Sequence, residues 1–457
     1  MHEFTDIRVP IEKDNPSIMR DESKCIKCGM CKTVCREKQS VAGFYDLIKT
    51  GDKAICINCG QCANVCPVES ITERYDYEDV RKVLKEGKKT VIIQTSPSVR
   101  VGLGEAFGMP FGEFVEGKLV AALKKLGIKY VFDTTFGADL TIMEEANEFI
   151  KRIQDKDSNK EKMPMFTSCC PAWVKFVETW YPERIKNLST SKSPILMQGA
   201  TIKSYFSKKL DIDMEDIYSV AVTPCTAKKF EITRDEFNSS GRNSGNSDIR
   251  DMDKIITTRE LAKWLKEENI DIKDLEDKNY DDLKGSGAGV IFGNTGGVME
   301  AAVRSAYYFI TNNIAPKELA VFKDVRGLSG VKKAQVFIPG AGLLNLGVVH
   351  TTANARKLLD DWDNIKDQFD FIEVMACEGG CIGGGGQPKC IITDRANMLE
   401  CRIDSIYNRD NNMELRQSHE NPTIKEVYDK FFNAPLSEVA EEYLHTYYYS
   451  RKEDLGK

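Results

Sequence analysis

The sequence is short of four things, and each shortage excludes a class of function. It has no long hydrophobic run: its most apolar stretch, 336–349, is broken by Pro339, Gly340 and Gly342 and falls short of the ~20 residues that cross a bilayer, so no membrane is expected. It has no surplus of positive charge: 64 Lys and Arg against 70 Asp and Glu leave a net charge of -6. That argues against nucleic acid as a partner, because phosphate binding wants a basic face. Its start, Met1-His2-Glu3, carries neither an apolar leader core nor twin arginines, so the expected compartment is the cytoplasm. Finally, the chain has 15 cysteines but none between residues 67 and 168. In a reducing compartment they are thiolates or metal ligands rather than disulfides.

A chain of 457 residues with 41% hydrophobic content exceeds one compact core, and the cysteine gap suggests where it divides. The amino-terminal part holds Cys25-x2-Cys28-x2-Cys31-x3-Cys35 and Cys56-x2-Cys59-x2-Cys62-x3-Cys66-Pro67. Three thiolates at three-residue spacing wrap one cubic cluster, and the fourth ligand crosses over from the other run. One 4Fe–4S cluster is therefore expected on Cys25, Cys28, Cys31 and Cys66, and a second on Cys56, Cys59, Cys62 and Cys35. Gly29 and Gly60 suit the tight turns. Zinc is the alternative, but zinc sites usually pair isolated C-x2-C knuckles. A module of this kind moves electrons and has no substrate site. Lys24, Lys27, Lys32, Arg36 and Lys38 cluster around it, as a solvated face does.

Beyond residue 80 short apolar runs alternate with amphipathic stretches. The runs are Thr90 to Gln94, Tyr130 to Phe132, Ile217 to Val222, Gly289 to Phe292 and Phe371 to Met375; the stretches include Met143 to Ile153 and Trp173 to Trp180. That texture predicts α/β layers with mostly parallel strands, whose chemistry sits beyond the carboxyl ends of the strands. Three strand-end sequences carry cysteine: Thr167-Ser168-Cys169-Cys170-Pro171, Thr223-Pro224-Cys225-Thr226-Ala227-Lys228, and Met375-Ala376-Cys377-Glu378-Gly379-Gly380-Cys381 running into Gly383-Gly384-Gly385-Gly386-Gln387-Pro388. Cys377 and Cys381, four apart, share a face on a helical turn. The glycines admit close approach of something bulky, and no Lys-Ser/Thr follows to make a phosphate cradle. Lys228, three residues past Cys225, places an ammonium at the same site, where it suits an anionic ligand. Five cysteines exceed the four that one cube needs, which leaves a spare thiol that can carry protons.

At these residues the sequence resembles the FeFe-hydrogenases, over nearly the whole chain from residue 20 to about 450. Further segments that are similar are 94–100, 132–145 and 292–302. The resemblance implies an α+β ferredoxin-like domain over 1–79, a large two-lobed α/β domain with mostly parallel sheets over 80–405, and a helical, small-subunit-like tail over 406–457. It implies reversible interconversion of protons, electrons and dihydrogen at an H-cluster, a 4Fe–4S cube joined to a diiron unit bearing carbon monoxide, cyanide and a bridging dithiolate amine. By motif position Cys170, Cys225, Cys377 and Cys381 would hold the cube, with Cys381 also bridging to the diiron unit. Cys169 would be the spare thiol, poised near neutral pKa. Glu145, Ser189, Glu148 and Arg152 would carry protons to solvent, with the two glutamates on one helix side. Pro97, Ser98 and Lys228 would bind the cyanides, and Phe292, Gly293 and Met375 would pack the pocket.

The chain departs from the family pattern at Thr223, where Met is common, at Ser96, where Ala is usual, and at Ile195, where Gln is frequent. Two of these changes add hydroxyls near the diiron unit, which predicts shifted potential or catalytic bias. His445 reads as a packing residue, and Cys390 and Cys401 as buried inert thiols. The implied partners are a ferredoxin or similar electron carrier and the maturation proteins, with the enzyme a monomer. Two other readings are a slowly turning hydrogen sensor and a Nar-like iron–sulfur assembly protein. The intact Cys169, Lys228 and glycine run speak against the latter.

Overall fold

The computed structural model describes residues 7–456; the start at Met1-His2-Glu3 lies outside the described residues. Around the first eight cysteines the chain is mostly loop. β1 (Ile18–Arg20) and β2 (Ile71–Glu73) pair antiparallel, Ile18 opposite Glu73. The one-turn helices Met30–Thr33 and Gln61–Asn64 are each entered through a left-handed glycine, Gly29 at φ 80° and Gly60 at φ 68°. These are the tight turns expected at the two cysteine runs.

The following strands are β3 (Thr90–Thr95), β4 (Tyr130–Asp133), β5 (Met165–Phe166), β6 (Ile217–Thr223), β7 (Lys254–Thr257), β8 (Val331–Ile338), β9 (Gly342–His350) and β10 (Phe371–Met375). They form two four-stranded sheets. The first, in the order β4-β3-β6-β7, is parallel throughout. The second runs β5-β10-β9-β8, and only its edge strand β8 is antiparallel. The expected mostly parallel α/β architecture is therefore present. The parallel strands are near-continuous apolar runs because helices cover both faces. β8 instead alternates exposed and buried residues, as a half-solvated edge does.

One expectation needs correction. Gly289–Phe292, read as a strand, belongs to the helix Gly287–Ile291. A short buried apolar run does not distinguish helix from strand by periodicity, and packing decided here: a Cβ on Gly289 would stand 2.4 Å from the Thr135 carbonyl oxygen. The broken stretch 336–349 is the β8–β9 hairpin, turned at Gly340 and Gly342 with φ of 94° and 83°. Among the described residues no helix is long and apolar enough to cross a membrane.

The tail is helical over Arg395–Asn411, Pro422–Val427 and Glu438–Leu444, then extended from 446 to 450. It is fastened to buried carboxylates of the helices Thr135–Gln154 and Pro171–Trp180. Asp139 accepts from Ser286, Ser418 and Asn421, and Glu178 accepts from Arg234 and Arg451.

Candidate active site

Five strand ends from the two large sheets open on one cavity. β3 leads into Ser96, Pro97 and Ser98, and β4 into Thr134; β6 leads into Pro224 and Cys225, β5 into Cys169 and Cys170, and β10 into Ala376 and Cys377. Ile195, Thr223, Lys228, Phe292, Gly293, Met375 and Cys381 also line the cavity. Every residue expected in the pocket wall lines it. The site lies where parallel strands end, as in open α/β sheets generally.

Cys377 and Cys381 do not share a helical face. They flank a turn in which Gly379 and Gly380 take φ of 77° and 92°, and a Cβ on Gly380 would lie 2.6 Å from the Thr295 nitrogen. The turn is held by His350, which the sequence did not single out. Its Nδ1 accepts the Gly379 N–H at 2.8 Å and its Nε2 faces the Leu328 carbonyl at 3.1 Å. The glycines that follow also have an unexpected neighbour. A Cβ on Gly385 would stand 2.2 Å from the Cys59 carbonyl oxygen, so the bulky thing admitted there is the backbone of the amino-terminal module. This contact sets Cys59 within electrostatic reach of Cys377. Within that module Cys56 and Cys31 act on the charge of Cys35, Cys62 and Cys35 on that of Cys59, and Cys56, Cys35 and Cys31 on that of Cys62, so thiols of both expected sets lie within electrostatic reach of one another.

The donor set fits a cube and an anionic ligand beside it. Burial raises the thiol of Cys170, pushes Cys225 up to about 12, and moves Cys377 and Cys381 up as well. Thiolates are stable there only against a metal cation. Among the described residues no three His, Cys, Asp or Glu gather tightly enough for a single ion; the four corner irons of a cube need no such convergence. The Ser98 hydroxyl is buried without a partner at the wall, as a donor awaiting an acceptor is. Lys228 is buried too, its Nζ 2.9 Å from Glu231 Oε2 and 3.1 Å from the Cys169 carbonyl oxygen. Burial would lower its pKa, but Glu231 and the Cys225 and Cys169 thiols outweigh that and hold it above its ordinary value.

Cys169 corrects a further expectation. Burial, then Glu145 and the neighbouring thiols, push it well up, against the pull of Lys228, so it is a protonated thiol rather than a group poised near neutrality. Glu145 is buried, and neither carboxyl oxygen has a hydrogen-bond partner. Burial and the charge of Glu148 push it up to about 8; the Ser189 hydroxyl and Ser168 N–H lean the other way without bonding to it. The Ser189 hydroxyl donates to Glu148 Oε2 at 2.8 Å, and Arg152 Nη2 donates to Glu148 Oε1 at 2.6 Å. Glu148 and Arg152 line a surface groove. The glutamates are therefore not an exposed helix face.

His445 packs, as expected, but with bonds of its own: Nδ1 to Thr190 Oγ1 at 2.8 Å and Nε2 to Glu144 Oε2 at 3.0 Å. The Thr190 N–H in turn donates to Glu148. Cys390 and Cys401 are partly exposed rather than buried, because their segments cross the surface.

Three families match along the chain: "Iron only hydrogenase large subunit, C-terminal domain" over residues 89–385, "Iron hydrogenase small subunit" over 396–451 and "4Fe-4S binding domain" over 50–72. The NADP-reducing hydrogenase subunit HndD of Solidesulfovibrio fructosivorans is 44% identical over 453 residues, 95% of this chain and 75% of that protein. Iron hydrogenase 1 of Clostridium pasteurianum is 41% identical, over 96% of this chain and 77% of that protein. A solved variant of the FeFe-hydrogenase HydA1 from Chlamydomonas reinhardtii superimposes with a TM-score of 0.71 at 35% identity, covering 82% of this chain and 99% of that one. The iron–sulfur assembly factor narfl of Danio rerio is more distant, at 28% over 82% of this chain and 91% of that protein, so the assembly-protein reading is not favoured. The chain belongs to the FeFe-hydrogenases, oxidoreductases acting on hydrogen, with 4Fe–4S clusters and an H-cluster as its cofactors.

Proposed function

We propose that this hydrogenase works through a line of three cysteine-held clusters and a separate proton route that meet at the cavity. Cys25, Cys28, Cys31 and Cys66 would hold the outer cluster, Cys35, Cys56, Cys59 and Cys62 the inner one, and Cys170, Cys225, Cys377 and Cys381 the cube at the cavity. The observation that carries this reading is the backbone contact of Gly385 with Cys59, which brings the inner set against Cys377. When bound, the diiron unit supplies the centre at which two protons and two electrons interconvert with dihydrogen.

The chain's own residues then do the following. Ser98 and Lys228 offer donors to anionic ligands, with Pro97 shaping the backbone beside them, while Phe292, Gly293 and Met375 keep water out. Cys169 holds a proton at Sγ facing the cavity. Glu145 exchanges it with Ser189 and Glu148, and Arg152 fixes Glu148 at the groove. Separating the two routes lets electrons arrive through metal and protons through a thiol, two carboxyl groups and a hydroxyl, of which Ser189, Glu148 and Arg152 are already joined by hydrogen bonds. Lys228 acts as a fixed positive charge, since Glu231 keeps it protonated.

The amino-terminal cysteine module is read as a ferredoxin-like domain over 1–79, followed by the H-cluster domain over 80–405 and a small-subunit-like tail over 406–457. The antiparallel β1–β2 pair flanking the cysteine turns supports the first of these. We further infer a monomer that exchanges electrons with a ferredoxin, receives its diiron unit from maturation proteins, and resides in the cytoplasm. The test is infrared spectroscopy with a hydrogen assay on protein matured with the diiron unit. Carbonyl and cyanide bands with turnover are expected; bands with only trace turnover would instead favour a hydrogen sensor.

A further inference from the structure

We infer that Gln61 sets the reduction potential of the cavity cube from the electron-delivering side. The inference rests on the reading of Cys377 as a ligand of that cube. Gln61 belongs to the inner cysteine run, between Cys59 and Cys62, on the helix Gln61–Asn64. Its side chain is 3% exposed and crosses to the large domain. There Nε2 donates to the Cys377 Sγ at 3.2 Å and to the Gly383 carbonyl oxygen at 2.9 Å. The orientation of the amide follows from chemistry: a carbonyl oxygen accepts only, so the Gly383 oxygen must face the NH₂ end, and Oε1 is left to accept from Asn64 Nδ2 at 3.4 Å. Both amide hydrogens are thereby committed, one of them to sulfur.

A hydrogen bond to a coordinating sulfur draws off negative charge. It stabilises the reduced, more negative state of a cluster, and so raises its potential. Dry surroundings strengthen the effect. Another sulfur bond at the cavity, Ala376 N–H to Cys170 Sγ at 3.4 Å, comes from backbone and does not depend on the side chain at Gln61. The bond from Gln61 is a side-chain bond from the neighbouring module, so docking of the electron relay and tuning of the cluster it feeds are one event. Docking itself does not hang on Gln61. Asn64 Nδ2 donates to the Gly384 oxygen at 3.0 Å, the Thr226 hydroxyl to the Asn58 oxygen at 2.7 Å, and Arg259 Nη2 to Glu73 Oε2 at 2.6 Å. Gln61 is thus a positioning and tuning residue, not a catalytic one.

The experiment is a redox titration followed by electron paramagnetic resonance on protein carrying its 4Fe–4S cubes, with iron counted in each sample. In Gln61→Leu the cavity cube should be about tenfold less reduced at a fixed potential, a drop of about 59 mV for a one-electron couple. The isosteric Gln61→Glu, which puts an anion where the donor was, should move it in the same direction. Asn64→Ala, which loses a docking bond but keeps the sulfur donor, should leave it in place. An unmoved midpoint in Gln61→Leu and Gln61→Glu at full iron content overturns the inference. If neither variant loads iron, wild-type protein grown with ¹⁵N-glutamine decides: a hyperfine coupling between ¹⁵N and the reduced cavity cube supports the bond, and its absence overturns it. A wild-type protein without a cavity cube signal would instead sink the ligand reading beneath it.

Discussion

At Glu145 two buried carboxyl oxygens lack partners, and burial beside Glu148 pushes the group up to about 8. It therefore carries its proton at pH 7. Raising the pH through about 8 ionises it and removes the donor beside Cys169. Hydrogen evolution at saturating reductant is expected to fall between pH 7 and 9, and Glu145→Gln should lower turnover at least 10²-fold with iron content and infrared bands intact. An unchanged pH profile in that variant would exclude Glu145 from the route. The same shift bears on stability. A folded-state pKa raised from 4.5 favours the fold fully below that value, and the contribution is lost as pH rises through about 8. Thr223 and Ser96 act at the same scale. Both line the cavity, and Thr223→Met with Ser96→Ala should shift the infrared ligand bands and the ratio of hydrogen uptake to evolution. Identical bands and ratio would show the hydroxyls idle.

The elements that matter most are the helices Thr135–Gln154 and Pro171–Trp180, because they carry both the proton route and the anchors of the tail. Glu178 is fully buried; it accepts Arg234 at 2.6 and 3.0 Å, Arg451 at 2.9 Å and the Tyr449 N–H at 3.3 Å. Removing one partner from a buried ion pair costs about 3–5 kcal/mol, since the charges left behind stay desolvated. Glu178→Ala should lower the unfolding free energy by that order and expose 446–451 to protease, whereas Glu178→Gln, which keeps its shape, should cost less. Equal resistance of Glu178→Ala and wild type would mean the tail is held elsewhere. Apart from Gly289–Phe292, the apolar runs read as strands are strands. That one run needed the packing of Thr135 to settle it, which no periodicity contains.

At the scale of the whole molecule, the amino-terminal cysteine module meets the cavity domain where Gly385 passes Cys59. Cys28 is exposed, so the outer set stands where a carrier protein can approach. Lys24, Lys27, Arg36 and Lys38 are exposed around it, although Lys24 and Lys38 already pair with Asp21 and Glu378. Surface charge of this kind governs encounter rate and is screened by salt. Lys27→Glu with Lys32→Glu should slow reduction by a ferredoxin several-fold at low salt and converge with wild type at high salt. Equal rates at low salt would place docking on another face.

The sequence by itself determined the chemistry. Cysteine spacing calls for clusters because thiolate turns are local, and the resemblance of the strand-end motifs to those of the FeFe-hydrogenases names the ligands we propose for the cavity cube. Only the tertiary structure decided how these parts face each other. The His350 bond that holds the turn between Cys377 and Cys381, the passage of Gly385 against Cys59, and the reach of Gln61 to Cys377 are contacts between residues far apart in the chain. The protonation of Cys169 likewise followed from burial. Spacing along a chain records which ligands are present; the dielectric around them and the partner across an interface arise only when the sheets close on the cavity.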